Sequence, residues 1–178
     1  KAFFLKKSNN NIFNSQVSGK NIGYNNILDI SEGLRCLSEF DEPTCIIIKH
    51  NNPCGVASAN SIKKAYIKAL QSDPLSAFGG VVLFNKKIDK SLSKLITQNF
   101  YEVVVAPTID KLSLNILKSK KKLIVINSNK LRERETITLR SVNSGVLYQE
   151  LNSYKINKSK INIVSNIKSS KKIIEDLI

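Results

Sequence analysis

An α/β domain built on a largely parallel sheet follows from three features of this 178-residue chain. Four short apolar runs, at 44–48, 81–84, 103–106 and 123–126, have the length of strands buried on both faces. The segments between them carry apolar residues at helical spacing, and Pro, Gly or polar clusters mark each change of period. Strands alternating with helices imply a sheet with helices packed on its faces.

The polar start, to about Asn21, reads as loop with a strand at 2–5. From Asn25, the residues Ile27, Leu28, Leu34, Leu37 and Phe40 outline a helix that Pro43 ends, leading into the strand 44–48. A Pro/Gly loop follows. Asn60 or Ser61 then caps a helix with Ile62, Ala65, Tyr66 and Ala69 on its buried face and Lys63, Lys64 and Lys68 on its wet one. That helix stops before Asp73-Pro74, and the loop 75–80 delivers the strand 81–84, so that 44–84 reads as a βαβ unit. Leu92, Leu95 and Ile96 mark the next helix, 103–106 a strand, 112–117 a helix and 123–126 a strand. A strand at 145–148 suits an antiparallel edge. Residues 152–170 read as polar connection with a short strand at 161–164, and Ser169 or Ser170 caps a helix containing Ile173, Ile174 and Leu177. The domain boundary is therefore expected near 150, with 1–150 as the main unit and 151–178 as a connection and the start of a following one.

Composition narrows the function classes. No apolar run approaches the roughly 20 residues of a membrane-spanning helix, and the opening KAFFLKK is too short for a secretory signal, so a cytoplasmic, membrane-free protein is expected. The three cysteines, Cys36, Cys45 and Cys54, form no C-x-x-C pair, and reduced thiols are expected. A net charge of +14 raises nucleic-acid binding. The lysines, however, are spread among Asn, Ile and Ser, dense only at 118–122 and 155–172, which argues against a binding face and for a field that attracts small anions.

The chemistry-bearing residues gather after the first buried strand. Lys49 and the single histidine, His50, leave its carboxyl end just before Pro53 and Gly55, which are expected to break the strand so that both side chains reach one site. A neutral imidazole can take a proton from an amine, and the ammonium can stabilise developing oxyanion charge. Asn51 and Asn52 can pair with ligand amides or hydroxyls. The Pro-Cys turn raises a zinc deaminase, whose ligand set needs H-x-E and P-C-x-x-C. Asn52 stands at the glutamate position and Ala57 at the second cysteine, so no metal is expected. In the second loop Phe78 offers a ring to a planar heterocycle, and Gly79 and Gly80 let backbone approach a ligand; a tight turn with a core phenylalanine is the plainer alternative. Glu102, ahead of 103–106, is either a solvated carboxylate or an acceptor for ligand hydroxyls and amines.

Lys49-His50-x-Asn52-Pro53-Cys54-Gly55, then 73–82 (DPLSAFGGVV) and 103–107 (VVVAP), closely resemble in order the AICAR transformylase part of the bifunctional AICAR transformylase/IMP cyclohydrolase family. Gly19-Lys20 and 24–29 (YNNILD) resemble the family's opening segment, and the likeness continues through 143–146 (NSGV), although Ser141 stands where a basic residue is expected. The resemblance implies a three-layer α/β/α, cytidine-deaminase-like domain without zinc, the first repeat of a duplicated pair. It implies an enzyme of purine (IMP) biosynthesis that transfers a formyl group from the co-substrate 10-formyltetrahydrofolate to the 5-amino group of AICAR, giving FAICAR. His50 is implied as proton acceptor and Lys49 as its charge-stabilising partner, with Asn26, Asn52, Phe78, Gly79 and Glu102 binding substrate. A homodimer is implied, with no metal, nucleic-acid or membrane partner. The family's Arg-Tyr-Gly segment and cyclohydrolase domain are expected before Lys1 and the second repeat after Ile178, which makes the chain a fragment. A basic nucleic-acid-binding module and a noncatalytic truncated relative are the rival readings.

Overall fold

The computed structural model describes residues 12–127, 137–152, 156–167 and 169–177, so the strand expected at 2–5 lies outside the described residues. Contacts divide the chain into two compact units, Lys1–Arg134 and Glu135–Ile178.

The first unit carries a six-stranded sheet in the order β1-β6-β5-β4-β2-β3, formed by β1 (Gln16–Ser18), β2 (Thr44–Lys49), β3 (Asn52–Ser58), β4 (Val81–Phe84), β5 (Val103–Ala106) and β6 (Ile124–Asn127). The four apolar runs of the sequence are β2, β4, β5 and β6, and their residues from Thr44 to Ile48, 81–84, 103–106 and 124–126 are buried. The neighbours β4, β5 and β6 are parallel, while β2 is antiparallel to both β4 and β3 and β1 is antiparallel to β6. Four strands thus run one way and β1 and β2 the other.

Helices cover both faces, as a sheet buried on both sides requires. On one face, Ile30 and Leu37 of α2 (Tyr24–Leu37) pack with Ile46, Ile48, Val81, Leu83, Val103 and Val105. On the other, α3 (Ile62–Ser72), α5 (Lys90–Ile96) and α6 (Lys111–Lys118) bury Ala65, Tyr66, Ala69, Leu92, Ile96 and Leu117 against the alternate residues of the same strands. The short helices α1 (Ile12–Ser15) and α4 (Pro74–Ala77) complete the unit. Ser61, Asp73, Asp89 and Asp110 each accept a backbone N–H at a helix start.

Three expectations change. The stretch to Asn21, expected as loop, carries α1 and the edge strand β1, which pairs antiparallel with β6. Residues 52–58 form β3, an edge strand on which a proline is tolerated, where a loop was expected. Consequently β2, α3 and β4 are not a parallel βαβ unit; β3 is the strand that runs with β4, and β2 lies between them. Gly55 makes this possible, since a Cβ there would stand 2.1 Å from the carbonyl oxygen of Ala69 in α3.

In the second unit, β7 (Ile137–Val142) and β8 (Gly145–Glu150) form an antiparallel hairpin. The strand expected at 145–148 therefore has β7 as its partner instead of an edge of the large sheet. No strand forms at 161–164, and a single 3-10 turn covers Lys158–Lys160. Ser170 caps α7 (Lys171–Asp176), its hydroxyl accepting from the Ile173 N–H as the sequence suggested.

Candidate active site

Strand register gathers the site. Ile48 pairs with Val81, Val81 with Val103, and Val103 with Ile124. Lys49, Gly80, Glu102 and Leu123, each one residue outside that row, therefore line a single edge of the sheet. The Glu102 N–H donates to the Gly80 carbonyl at 3.0 Å, and the Ile124 N–H to the Glu102 carbonyl at 3.0 Å. This is the carboxyl end of β2 but the amino end of β4, β5 and β6. The antiparallel placement of β2 thus puts Lys49 and His50 opposite the end at which parallel α/β sheets usually hold ligands.

Lys49 and His50 share the edge because the chain turns between them. Lys49 pairs with Asn52, and the two residues between have left-handed backbone, φ 56° at His50 and 62° at Asn51. That pattern belongs to a two-residue type I′ hairpin turn. The break expected at Pro53 and Gly55 lies instead at His50-Asn51, and both Pro53 and Gly55 sit within β3. The Asn51 N–H donates to Asp29 Oδ1 at 2.7 Å, and Asn52 Nδ2 to the His50 carbonyl at 3.1 Å. His50, Asn51 and Asn52 are exposed and Lys49 is half-buried.

Lys49 Nζ donates to the Phe78 carbonyl at 2.7 Å, joining the two predicted loops. Gly79 follows with φ 75°, the left-handed region that favours glycine, and its N–H donates to the Phe100 carbonyl at 2.8 Å. Phe78 is 62% exposed, so it is not the core phenylalanine of the plainer alternative; its ring lies 5.1 Å from that of Phe100. Beside the two rings opens a cavity of about 510 Å³ whose lining includes Tyr101 and Lys120–Lys122.

Glu102 accepts from Asn26 Nδ2 at 3.1 Å and Lys20 Nζ at 3.2 Å. The Asn26 amide, with a smaller contribution from Lys20, holds its carboxyl below the usual range against partial burial. Asn26 and Asp29 are one turn apart on α2, so a single helix reaches both Glu102 and the turn carrying His50. Lys20, Asp29 and Phe100 belong to this geometry and were not singled out as site residues from the sequence. The i, i+3 spacing of Asn26 and Asp29 was the available signal for Asp29.

Cys54 is half-buried, and burial pushes its thiol up, the opposite of an activated nucleophile. Among the described residues no three His, Cys, Asp or Glu side chains group as metal ligands, and no helix is long and apolar enough to cross a membrane.

Comparison with known proteins adds to this geometry. The model of the AICARFT/IMPCHase bienzyme family matches residues 1–178. The bifunctional purine biosynthesis protein PurH of Caldicellulosiruptor bescii is 45% identical over 185 residues, covering 100% of this chain and 36% of that protein. PurH of Buchnera aphidicola subsp. Schizaphis graminum is 39% identical over 166 residues, covering 92% of this chain and 32% of that protein. The chain thus spans about a third of the length of these relatives. Among solved structures, Acinetobacter baumannii RibD, form 1, aligns with 58% of this chain and 33% of its own at 15% identity and a TM-score of 0.44.

Proposed function

The chain belongs to the AICARFT/IMPCHase bienzyme family, and from that membership we propose that it carries the catalytic pair of a formyl transfer in purine biosynthesis. The donor is 10-formyltetrahydrofolate and the acceptor the 5-amino group of AICAR. The observation that carries the reading is the placement of Lys49 and His50 on one tight turn, beside the carbonyl of Phe78 and on the same sheet edge as Glu102.

In the proposed reaction the amine nitrogen attacks the formyl carbon, and the carbonyl oxygen gains negative charge. His50, exposed on its turn, takes the proton that the amine loses. The Lys49 ammonium, held by the Phe78 carbonyl, has donors left to stabilise the oxyanion or to protonate the departing folate nitrogen. The new C–N bond gives FAICAR, and the broken one releases tetrahydrofolate. Glu102, kept ionised by Asn26 and Lys20, is an acceptor for the hydroxyls or amines of the nucleotide. Phe78 offers its face to a planar ring, and Gly79 and Asn52 offer backbone and amide contacts. No metal enters the scheme.

The relatives are about three times as long as this chain, so we assign the remaining substrate contacts, any cyclohydrolase activity and homodimerisation to the longer protein, which we read as cytoplasmic. The test is formyl transfer by the complete reading frame that carries this chain, compared with its His50→Ala variant. A loss of about 10²–10⁴-fold in kcat is expected from removing a general base. Undiminished turnover would overturn the assignment of His50, and a strictly monomeric active enzyme the assignment of a dimer.

A further inference from the structure

We infer that Asp29 is a positioning residue for His50, fixing the turn from which the imidazole acts. The inference rests on the formyl-transfer reading for what His50 does, but its geometry stands independently. Type I′ turns favour Asn-Gly, Asp-Gly or Gly-Gly because both central residues need positive φ. Here those positions hold His50 and Asn51, at φ 56° and 62°, and neither is glycine. Asparagine and histidine enter the left-handed region more readily than most side chains, but still at a cost that a contact from outside the turn can offset.

Asp29 is the outside partner. In a two-residue hairpin the N–H of the second turn residue has no partner in the strand ladder, and Asp29 Oδ1 accepts that of Asn51 at 2.7 Å. A carboxylate accepting from an amide makes a short, strong bond. Its helix is firmly seated: Ile30, next to Asp29, is fully buried, and a Cβ on Gly33 would stand 2.4 Å from a methyl of Leu83 in β4. Asn26, one turn earlier on α2, holds Glu102. One rigid helix therefore sets the spacing between the turn that bears the proposed base and the carboxylate proposed to bind substrate. The bond from Asn52 Nδ2 to the His50 carbonyl tightens the turn from within but ties it to nothing else.

The test uses the complete reading frame, with kcat and KM for AICAR measured in Asp29→Ala and Asp29→Asn alongside wild type and His50→Ala. Asp29→Ala should lower kcat by about tenfold to a hundredfold, the range expected of a small misplacement of a catalytic group, with KM within about twofold. Asp29→Asn keeps an oxygen acceptor and should stay within about threefold of wild type. Adding Asn51→Gly to Asp29→Ala should restore part of kcat, because glycine holds positive φ unaided. If Asp29→Ala does not fold, Asp29→Glu, which shifts the acceptor by one methylene, replaces it with the same expectation for kcat and KM. Wild-type kcat in Asp29→Ala, or an Asp29→Asn as impaired as the alanine, would overturn the inference while leaving the formyl-transfer reading intact. An undiminished His50→Ala would instead overturn the role given to His50.

Discussion

Tyr66→Phe and Tyr101→Phe delete opposite ends of one hydrogen bond, yet they are expected to have unequal effects. The two hydroxyl oxygens lie 3.1 Å apart, and Tyr66 Oη also accepts from Asn99 Nδ2 at 3.1 Å. The tyrosines are 1% and 4% exposed, whereas Asn99 is exposed. Removing the Tyr101 hydroxyl leaves Tyr66 bonded to Asn99, a loss of one neutral hydrogen bond worth about 1 kcal/mol. Removing the Tyr66 hydroxyl leaves the buried Tyr101 hydroxyl without a partner among the described residues, while the Asn99 amide turns to water. The desolvation of an unmet buried group then costs about 1–3 kcal/mol. Tyr66→Phe should therefore be the more damaging by up to about 2 kcal/mol, and each kcal/mol corresponds to roughly 2–4 °C in Tm for a chain of this size. Urea and thermal melts of the two single variants and the double one provide the assay, and the double should cost less than the sum of the singles. Equal losses, or a costlier Tyr101→Phe, would refute the reasoning.

Two further outcomes follow from packing and titration. Gly55→Ala should destabilise by about 1–3 kcal/mol, because the new methyl would meet the backbone of α3 rather than a movable side chain; an unchanged urea midpoint would refute it. Asn26→Ala should raise the pKa of Glu102, since the Asn26 amide is the largest influence lowering it, and carboxyl-carbon NMR titration reads this directly. A lowered folded-state value means that Glu102 contributes stability above the ordinary carboxylate range, lost as pH falls through the lowered value; the variant should lose part of that acid sensitivity.

Much of the fold was legible because burial on both faces leaves an unmistakable trace. The runs 44–48, 81–84, 103–106 and 123–126 carry no polar alternation to confuse them, and each lies within or beside a buried strand. Sequence could not disclose that Asn52–Ser58 is a strand, since Asn, Pro and Gly disfavour one and only edge pairing to β2 accommodates them. Misreading that segment reversed the expected direction of β2 relative to β4. The candidate site was legible where chemistry is local: Lys49, His50 and Glu102 stand out by residue type and position, and strand register sets Lys49 and Glu102 along one edge. The partners supplied from elsewhere, Lys20 82 residues before Glu102 and Asp29 22 residues before Asn51, depend on how the segment after β1 and the helix α2 lie across the sheet, which local pattern does not encode.

The reversed direction of β2 also decides which backbone field Lys49 meets at its edge of the sheet. The helices α5 and α6 run back to the amino ends of β5 and β6, so their carboxyl termini, each equivalent to about half a negative charge, point toward the edge that carries Lys49. The amino terminus of α2, near Asn26, is the opposing positive end. An anionic guest arriving there therefore meets a backbone field that is partly repulsive. Attraction must come from ammonium groups, with Lys20, Lys49 and Lys120–Lys122 on hand. Solvent-accessible charges of this kind are screened by salt, so capture of anions at this edge should weaken as ionic strength rises.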